Sequence, residues 1–292
     1  MLEVEEGIAP AVIDWYLAHK RDLPWRRAGF TAWGTLVSEF MLQQTPVSRV
    51  IPSLESWLER WPTPASLAAE PPGEAVRAWA RLGYPRRALW LHACASEITD
   101  RHGGVVPSSV TDLLALPGVG PYTARAVAAF AYGARVPVVD TNVRRVIARA
   151  VLGQGEPAPP SSTRDLAAMS ALLPEDEPAA ATFNAGMMEL GAIVCVARKP
   201  ECGRCPIAGL CRWRAAGYPP YAGPRKTVQK KYEGSDRHAR GVIMAELRAA
   251  HVPISEREID GLWPDRRQLK RALDGLVVDG LALRTVDGYL LP

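Results

Sequence analysis

The chain has 292 residues, 48% hydrophobic and 23% charged. That balance supplies a buried core, excludes wholesale disorder and suits one large domain or two smaller ones. No apolar run reaches the roughly 18–20 residues of a membrane helix, and the acidic start MLEVEEGIAP is no secretory signal, so a reducing cytoplasm is expected. The 35 Lys and Arg against 31 Asp and Glu leave a net +4, and residues 225–240, with six basic and two acidic side chains, carry all of it.

Helical spacing begins with Val12, Ile13, Tyr16 and Leu17 in segment 10–20. It recurs over 32–43, 46–60, 84–100, 121–132, 141–152 and 178–193, with Pro/Gly-rich breaks at 61–64, 71–73, 102–109 and 153–162. The near absence of alternating strands predicts an all-α region up to about residue 215. Within it, 112–124 (DLLALPGVGPYTA) reads as a hairpin, one helix ending at about Leu116 and the next starting at Tyr122 or just before. Gly118 and Gly120, with Val119 between them, allow outward-pointing N–H groups, and the second helix adds its positive end. Such a hairpin is expected to seat one DNA phosphate without regard to sequence, the alternative being a plain helix–turn–helix connection.

The β-like run Val136-Pro-Val-Val leads to Asp140, placed to cap the helix that Thr141 opens. Residues 214–236 are aperiodic and rich in Pro, Gly and Lys, which predicts a linker. Helices over 237–250, 255–260 and 266–279 follow, and then LALRT and YLLP flank a Val-Asp-Gly turn. Three helices and a hairpin suggest a winged helix, either structural or DNA-contacting through Arg266, Arg267, Lys270 and Arg271.

Four of the five cysteines read Cys195-x6-Cys202-x2-Cys205-x5-Cys211, a compact metal-ligand set. Structural zinc usually joins two tight knuckles, whereas one knuckle with wide flanks suits a larger cubane held by four cysteines. On spacing both readings stand. Arg198, Lys199, Arg204, Arg212 and Arg214 would make the loop a phosphate-binding finger. Cys94 sits in a helical pattern and reads as an inert core residue.

Two carboxylates remain. Glu39, in VSEFMLQQT, either faces solvent or, if buried, is a neutral acid at pH 7. Asp140 is either a helix cap or an anionic group beside a reacting centre.

The hairpin at 116–124, the VVDTNVRRV segment and the cysteine tail, in that order, resemble the helix-hairpin-helix–Gly/Pro–Asp DNA glycosylase superfamily. SEFMLQQT at 38–45 resembles its adenine DNA glycosylase branch, as do LPWRR at 23–27, LGYPRRA at 82–88 and FNAGMMELGAIVC at 183–195. The resemblance spans roughly residues 8–215. It implies a two-lobed all-α glycosylase domain over 1–215, with a [4Fe–4S] cluster on the loop 195–211. A basic linker over 216–236 and a winged-helix-like domain over 237–292 complete the expected organisation.

The resemblance further implies excision of adenine mispaired with 8-oxoguanine or guanine in double-stranded DNA. Glu39 matches the acid that protonates adenine N7, and Asp140 the carboxylate that stabilises the sugar cation. Asn142 matches a residue beside that aspartate that holds water. Tyr122 stands where bifunctional relatives of the endonuclease III kind carry a Schiff-base lysine, implying a monofunctional enzyme. Trp25, Arg26 and Glu189 match residues of the adenine pocket. Gln44, Thr45 and Tyr84 match those around the opposite base, with Tyr84 as the wedge.

A monomer in the bacterial cytoplasm, associated with the nucleoid, is expected, with an abasic-site endonuclease acting downstream. Thr141 departs from the glycine of many relatives. Residues 225–292 hold no nudix-like domain, the 8-oxoguanine reader of many adenine glycosylases; the short C-terminal region is similar to that of actinobacterial relatives. The alternatives are a thymine-mismatch glycosylase on the same scaffold and a non-enzymatic iron–sulfur DNA-binding regulator.

Overall fold

A computed structural model of the chain describes residues 2–223 and 231–292, without the side chains of residues 2–6. Part of the predicted basic linker, 224–230, lies outside the described residues. The elements run α1 (Leu2–His19), α2 (Ala32–Leu42), α3 (Val47–Arg60), α4 (Pro64–Ala68), α5 (Pro72–Ala78) and α6 (Arg86–Arg101). The hairpin pair α7 (Val110–Ala115) and α8 (Pro121–Tyr132) comes next, then α9 (Thr141–Ala150), α10 (Ser162–Ser170), α11 (Glu177–Ile193) and the short α12 (Arg212–Ala215). After the linker come α13 (Asp236–Ala249), α14 (Glu256–Asp260), α15 (Arg266–Val278) and the strands β1 (Leu283–Thr285) and β2 (Gly288–Leu290). No helix among the described residues is long and apolar enough to cross a membrane.

The helix starts follow from local chemistry. Asp140, Asp176, Ser235 and Asp265 cap α9, α11, α13 and α15 by accepting backbone N–H groups of the first turn. α4 and α5 begin at Pro64 and Pro72, where a missing N–H costs nothing. The run before Asp140, expected to be β-like, pairs with no strand among the described residues. The side chain of Asn184 on α11 takes that part: its Oδ1 accepts from Val138 N at 2.9 Å and its Nδ2 donates to Val136 O at 3.0 Å. A fully buried amide thus meets the backbone groups a strand would have paired.

The chain divides into two compact units, and the first holds Met1–Thr35, Ser108–Leu114 and Gly120–Lys226. Its core forms where Val143, Val146, Ile147 and Ala150 on one face of α9 meet Phe183, Met187 and Leu190 on α11, with Ile8 and Val12 of α1.

The second unit holds Leu36–Pro107, Ala115–Val119 and Thr227–Pro292. Trp57 sits edge-on to Trp61 and Trp79, at 4.7 and 5.6 Å between ring centroids. The C-terminal helices and hairpin belong to this unit, with β1 and β2 antiparallel and Leu283 opposite Leu290. Ile254 adds an antiparallel bridge to Tyr289 of the hairpin. The last carbonyl, of Pro292, accepts from Gly73 N at 2.6 Å.

Candidate active site

Glu39 lies in the most apolar helix stretch of its unit. Its neighbours along the helix, Leu36, Val37, Phe40 and Met41, are fully buried, and Glu39 itself is only 6% exposed. The solvent-facing alternative for this side chain is therefore excluded. Burial of a carboxyl among alkyl and aromatic groups favours its neutral form.

Asp140 caps α9 with both oxygens engaged. Oδ1 accepts from Val143 N and Oδ2 from Asn142 Nδ2, each at 2.7 Å. Burial raises its pKa above the ordinary value, and these hydrogen bonds with the nearby charge of Arg145 oppose the rise. Asn142 in turn accepts from Arg145 Nη2 at 2.8 Å. The same guanidinium donates to Gly191 O at 2.6 Å and to Cys195 O at 2.7 Å. A hydrogen-bonded chain thus runs from Asp140 to the first cysteine of the tail. It needs α9 and α11 in close approach, since a Cβ on Gly191 would lie 2.7 Å from Asn142 Cβ. Arg144, adjacent in sequence, pairs with Asp165 at 2.7 Å instead.

Glu189 of α11 is 1% exposed and fully ligated. Arg21 reaches it from the backbone N, Nε and Nη2 at 3.0, 2.8 and 2.7 Å, and Arg26 from Nη2 at 2.9 Å. Burial works to raise its pKa, but the arginine hydrogen bonds outweigh it and bring the group down to about 2. Arg26 also lies 5.2 Å over the ring of Tyr16, and with half-buried Trp25 it forms the 3-10 turn Pro24–Arg26. Tyr122, in the first turn of α8, packs on a small cluster of Ala126, Ala129 and Val138.

In the second unit Gln44 and Tyr84 are exposed and held at φ +57° and +49°. Such left-handed non-glycine residues concentrate at functional sites. Thr45 is buried, and its hydroxyl accepts from Arg87 Nη2 at 3.0 Å. Arg87 also donates to the carbonyls of Phe40, Gln43 and Gly83 at 2.7, 2.5 and 2.9 Å, so one buried guanidinium joins the end of α2 to the turn that carries Tyr84. Burial lowers its pKa to about 10.

In the hairpin Val119 N donates to Leu116 O at 3.2 Å, and Gly118 adopts φ +74° with its α-carbon against Trp90. A Cβ there would lie 2.5 Å from Trp90 Cβ, so only glycine fits. Gly120 caps α8 with open space where a side chain would be.

Cys195, Cys202, Cys205 and Cys211 line one small cavity with Arg149 and Trp213. Arg149, 4% exposed, donates to Val196 O at 2.8 Å, Ala197 O at 3.1 Å and the sulfur of Cys195 at 3.5 Å, and lies 4.7 Å over the ring of Trp213. Of the loop cations, Arg204 pairs with Glu201, and Arg212 and Arg214 donate to the carbonyls of Val151 and Ala208. Arg198 and Lys199 are exposed. Cys94 is fully buried, and burial pushes its thiol up to about 12.

Arg21, Arg87, Arg145 and Arg149 organise these groups, and sequence reasoning missed their roles. For Arg87 and Arg149 the signal was an arginine beside alanine, as in Arg87-Ala88 and Ala148-Arg-Ala150; Arg21 and Arg145 sit beside charged residues and carried no such signal. A solvated arginine needs no such setting, whereas one that feeds buried carbonyls does.

Residues 37–169 match the family described as HhH-GPD superfamily base excision DNA repair protein. Residues 195–211 match the iron-sulfur binding domain of endonuclease III. The chain is 54% identical to the adenine DNA glycosylase of Mycolicibacterium smegmatis, covering 97% of this chain and 95% of that one. It is 52% identical to that of Mycobacterium tuberculosis (strain H37Rv) over 96% and 92% of the two chains. A thermostable thymine-DNA glycosylase structure superposes with a TM-score of 0.67 at 27% identity, over 73% of this chain and 98% of that chain. The chain belongs to the adenine DNA glycosylases, base-excision-repair hydrolases of the HhH-GPD superfamily.

Proposed function

We propose that this enzyme hydrolyses the N-glycosidic bond of adenine opposite 8-oxoguanine or guanine in duplex DNA and leaves an abasic site. The observation that carries the reading is the contrast between two carboxyl groups. Glu39 is buried within an apolar helix, while Asp140 is held at a helix N-terminus by two hydrogen bonds. Such a contrast separates an acid from an anionic stabiliser. Glu39 delivers a proton to adenine N7, the C1′–N9 bond breaks with its electrons moving to the base, and Asp140 faces the sugar cation. Water adds at C1′ and passes its proton to solvent. Asn142 holds the Asp140 carboxylate in place. Trp25 and Arg26 line the adenine pocket, and Glu189 acts by fixing Arg26. Gln44, Thr45 and Tyr84 meet the opposite base, and the backbone of Gly118, Val119 and Gly120 holds a phosphate.

Tyr122 offers a phenol where a Schiff base needs an amine, which supports monofunctional chemistry. Thymine carries no N7, so the Glu39 role argues against a thymine-mismatch reading. The four cysteines suit a [4Fe–4S] cluster. They line one cavity, where four thiolates could hold such a cluster. When bound, the cluster supplies a brace for the 195–211 loop and takes no part in bond cleavage. The enzyme acts as a monomer and hands the abasic site to an endonuclease.

The test is incubation with duplexes containing A:8-oxoG, A:G, T:G and A:T. Abasic sites arise from the first two alone, and strands break only after alkali. Glu39→Gln and Asp140→Asn each bind DNA but lose at least about 100-fold in single-turnover rate. Full activity in either variant overturns its assignment, and borohydride-trapped enzyme–DNA overturns the monofunctional mechanism.

A further inference from the structure

A cavity of about 940 Å³ in the second unit lies outside the groups used above for bond cleavage. One wall is the turn 80–87 with Gln44 and Trp90, and the other is Tyr232 with one face of α13. Six arginines line it (Arg81, Arg86, Arg87, Arg237, Arg240 and Arg248) against one carboxylate, Asp279. Asp279 pairs with Arg86 from one wall and Arg240 from the other. Arg87 is spent on backbone carbonyls. The side chains of Arg81 and Arg248 find no acceptor among the described residues, though the backbone carbonyl of each is pinned by a further arginine, Arg49 and Arg77 respectively. Burial and the charge of Arg81 together lower the pKa of Arg248. Two neighbouring guanidiniums without a carboxylate are a cost that an anion removes.

The aromatic residues are equally uneven. Among the described residues five Tyr and Trp side chains count as exposed large hydrophobics, and three of them, Tyr84, Trp90 and Tyr232, line this cavity. Tyr232 is seated close on α13, since a Cβ at Gly241 would lie 2.7 Å from its hydroxyl, and its ring packs at a tilt against His238, 5.0 Å between centroids. Arginines interleaved with exposed rings are the lining of a groove for unstacked nucleic acid. The rival surface on α15 is partly neutralised, because Lys270 pairs with Asp274 and Arg271 with Asp236.

We propose that this cleft binds the DNA strand opposite the excised adenine, with Arg81 and Arg248 on its phosphates and Tyr232 stacked on one of its bases. The C-terminal helices are then part of the substrate site. The strand assignment rests on the proposed adenine reaction, because Tyr84, its wedge, borders the cleft.

The experiment uses the full chain and a duplex with a tetrahydrofuran abasic analogue opposite guanine. Affinity is measured by anisotropy across a KCl series, with thermal melts as folding controls. Arg81→Ala/Arg248→Ala lowers the slope of log K against log[KCl] by about 1.8, two phosphate contacts. The double lysine variant restores it, and Arg266→Ala/Arg267→Ala leaves it within about 0.5 of the parent. Tyr232→Ala weakens binding about 5- to 150-fold. Photocrosslinking from 5-iodouracil reaches Tyr232 when the probe is in the opposite strand. An unchanged slope in the alanine pair, an equal loss in the α15 pair, or crosslinks from the target strand alone overturns the proposal. Failure of the unaltered enzyme to excise adenine sinks the reaction instead, and the slope is still read on the analogue.

Discussion

Two buried carboxylates behave oppositely because their neighbours differ. Glu189 meets two guanidiniums and stays ionised, with its pKa down to about 2 from the ordinary 4.5. The unfolded chain therefore binds more protons as pH falls from 4.5, and the stability this group contributes above 4.5 is lost on the way down to about 2. A shift of that size corresponds to roughly 3 kcal/mol. Urea unfolding at several pH values should show this decline, and Glu189→Gln should flatten it while lowering neutral-pH stability by a similar amount.

Asp140 shifts the other way, raised by burial and held back by Asn142 and Val143. The ionised form is needed to face a cation, so excision should fall with decreasing pH below a limb set higher than for an ordinary aspartate. Asn142→Leu removes one of the restraining hydrogen bonds and should move that limb further up. A single-turnover pH profile checks this, and an unmoved limb would separate Asn142 from the carboxylate's ionisation.

At the scale of elements, α9 carries the most consequence. Asp140 caps its start, Arg145 joins it to Cys195 O, and Arg149 near its end binds the cysteine loop. Arg149→Leu strands the carbonyls of Gly155, Val196 and Ala197. Losing several buried partners at once should cost about 3–5 kcal/mol. Iron per chain and Tm should both fall in this variant, whereas exposed Arg198→Leu should alter neither.

How far such elements were legible depended on range. The hairpin was readable because Gly118 and Gly120 act within a few residues of themselves. α9 and α11 were readable from apolar spacing. The short α4 and α5 were hidden, because Pro64 and Pro72 look like breaks in sequence yet serve as first-turn residues. The β-like run failed for another reason: Asn184, 46 residues from Val138, supplies the pairing. Glu39 stood out as a candidate in its apolar helix, but its burial depends on packing that no local pattern contains.

For the whole molecule, net charge was a poor guide. A chain at +4 holds a cleft with six arginines and one aspartate, so its basic side chains are placed unevenly. The C-terminal segment bears on stability as well as charge. In the second unit Pro292 O accepts from Gly73 N, and a Cβ on Gly73 would lie 2.3 Å from that oxygen, so the chain end presses directly on α5. Arg77 of α5 donates to the backbone of Arg248 on α13, and Arg86 of α6 pairs with Asp279. An accessory domain on a free tether would make no such bonds, and its removal would leave Tm unchanged. Here, deleting residues 227–292 uncovers Gly73, the α5 face and the cleft wall together. Tm should fall by several degrees, since each kcal/mol lost moves a unit of this size by about 2–4 °C. Binding of an apolar dye at neutral pH should rise in the same variant, and equal melts for the full and shortened chains would show that the C-terminal helices do not stabilise the unit they pack on.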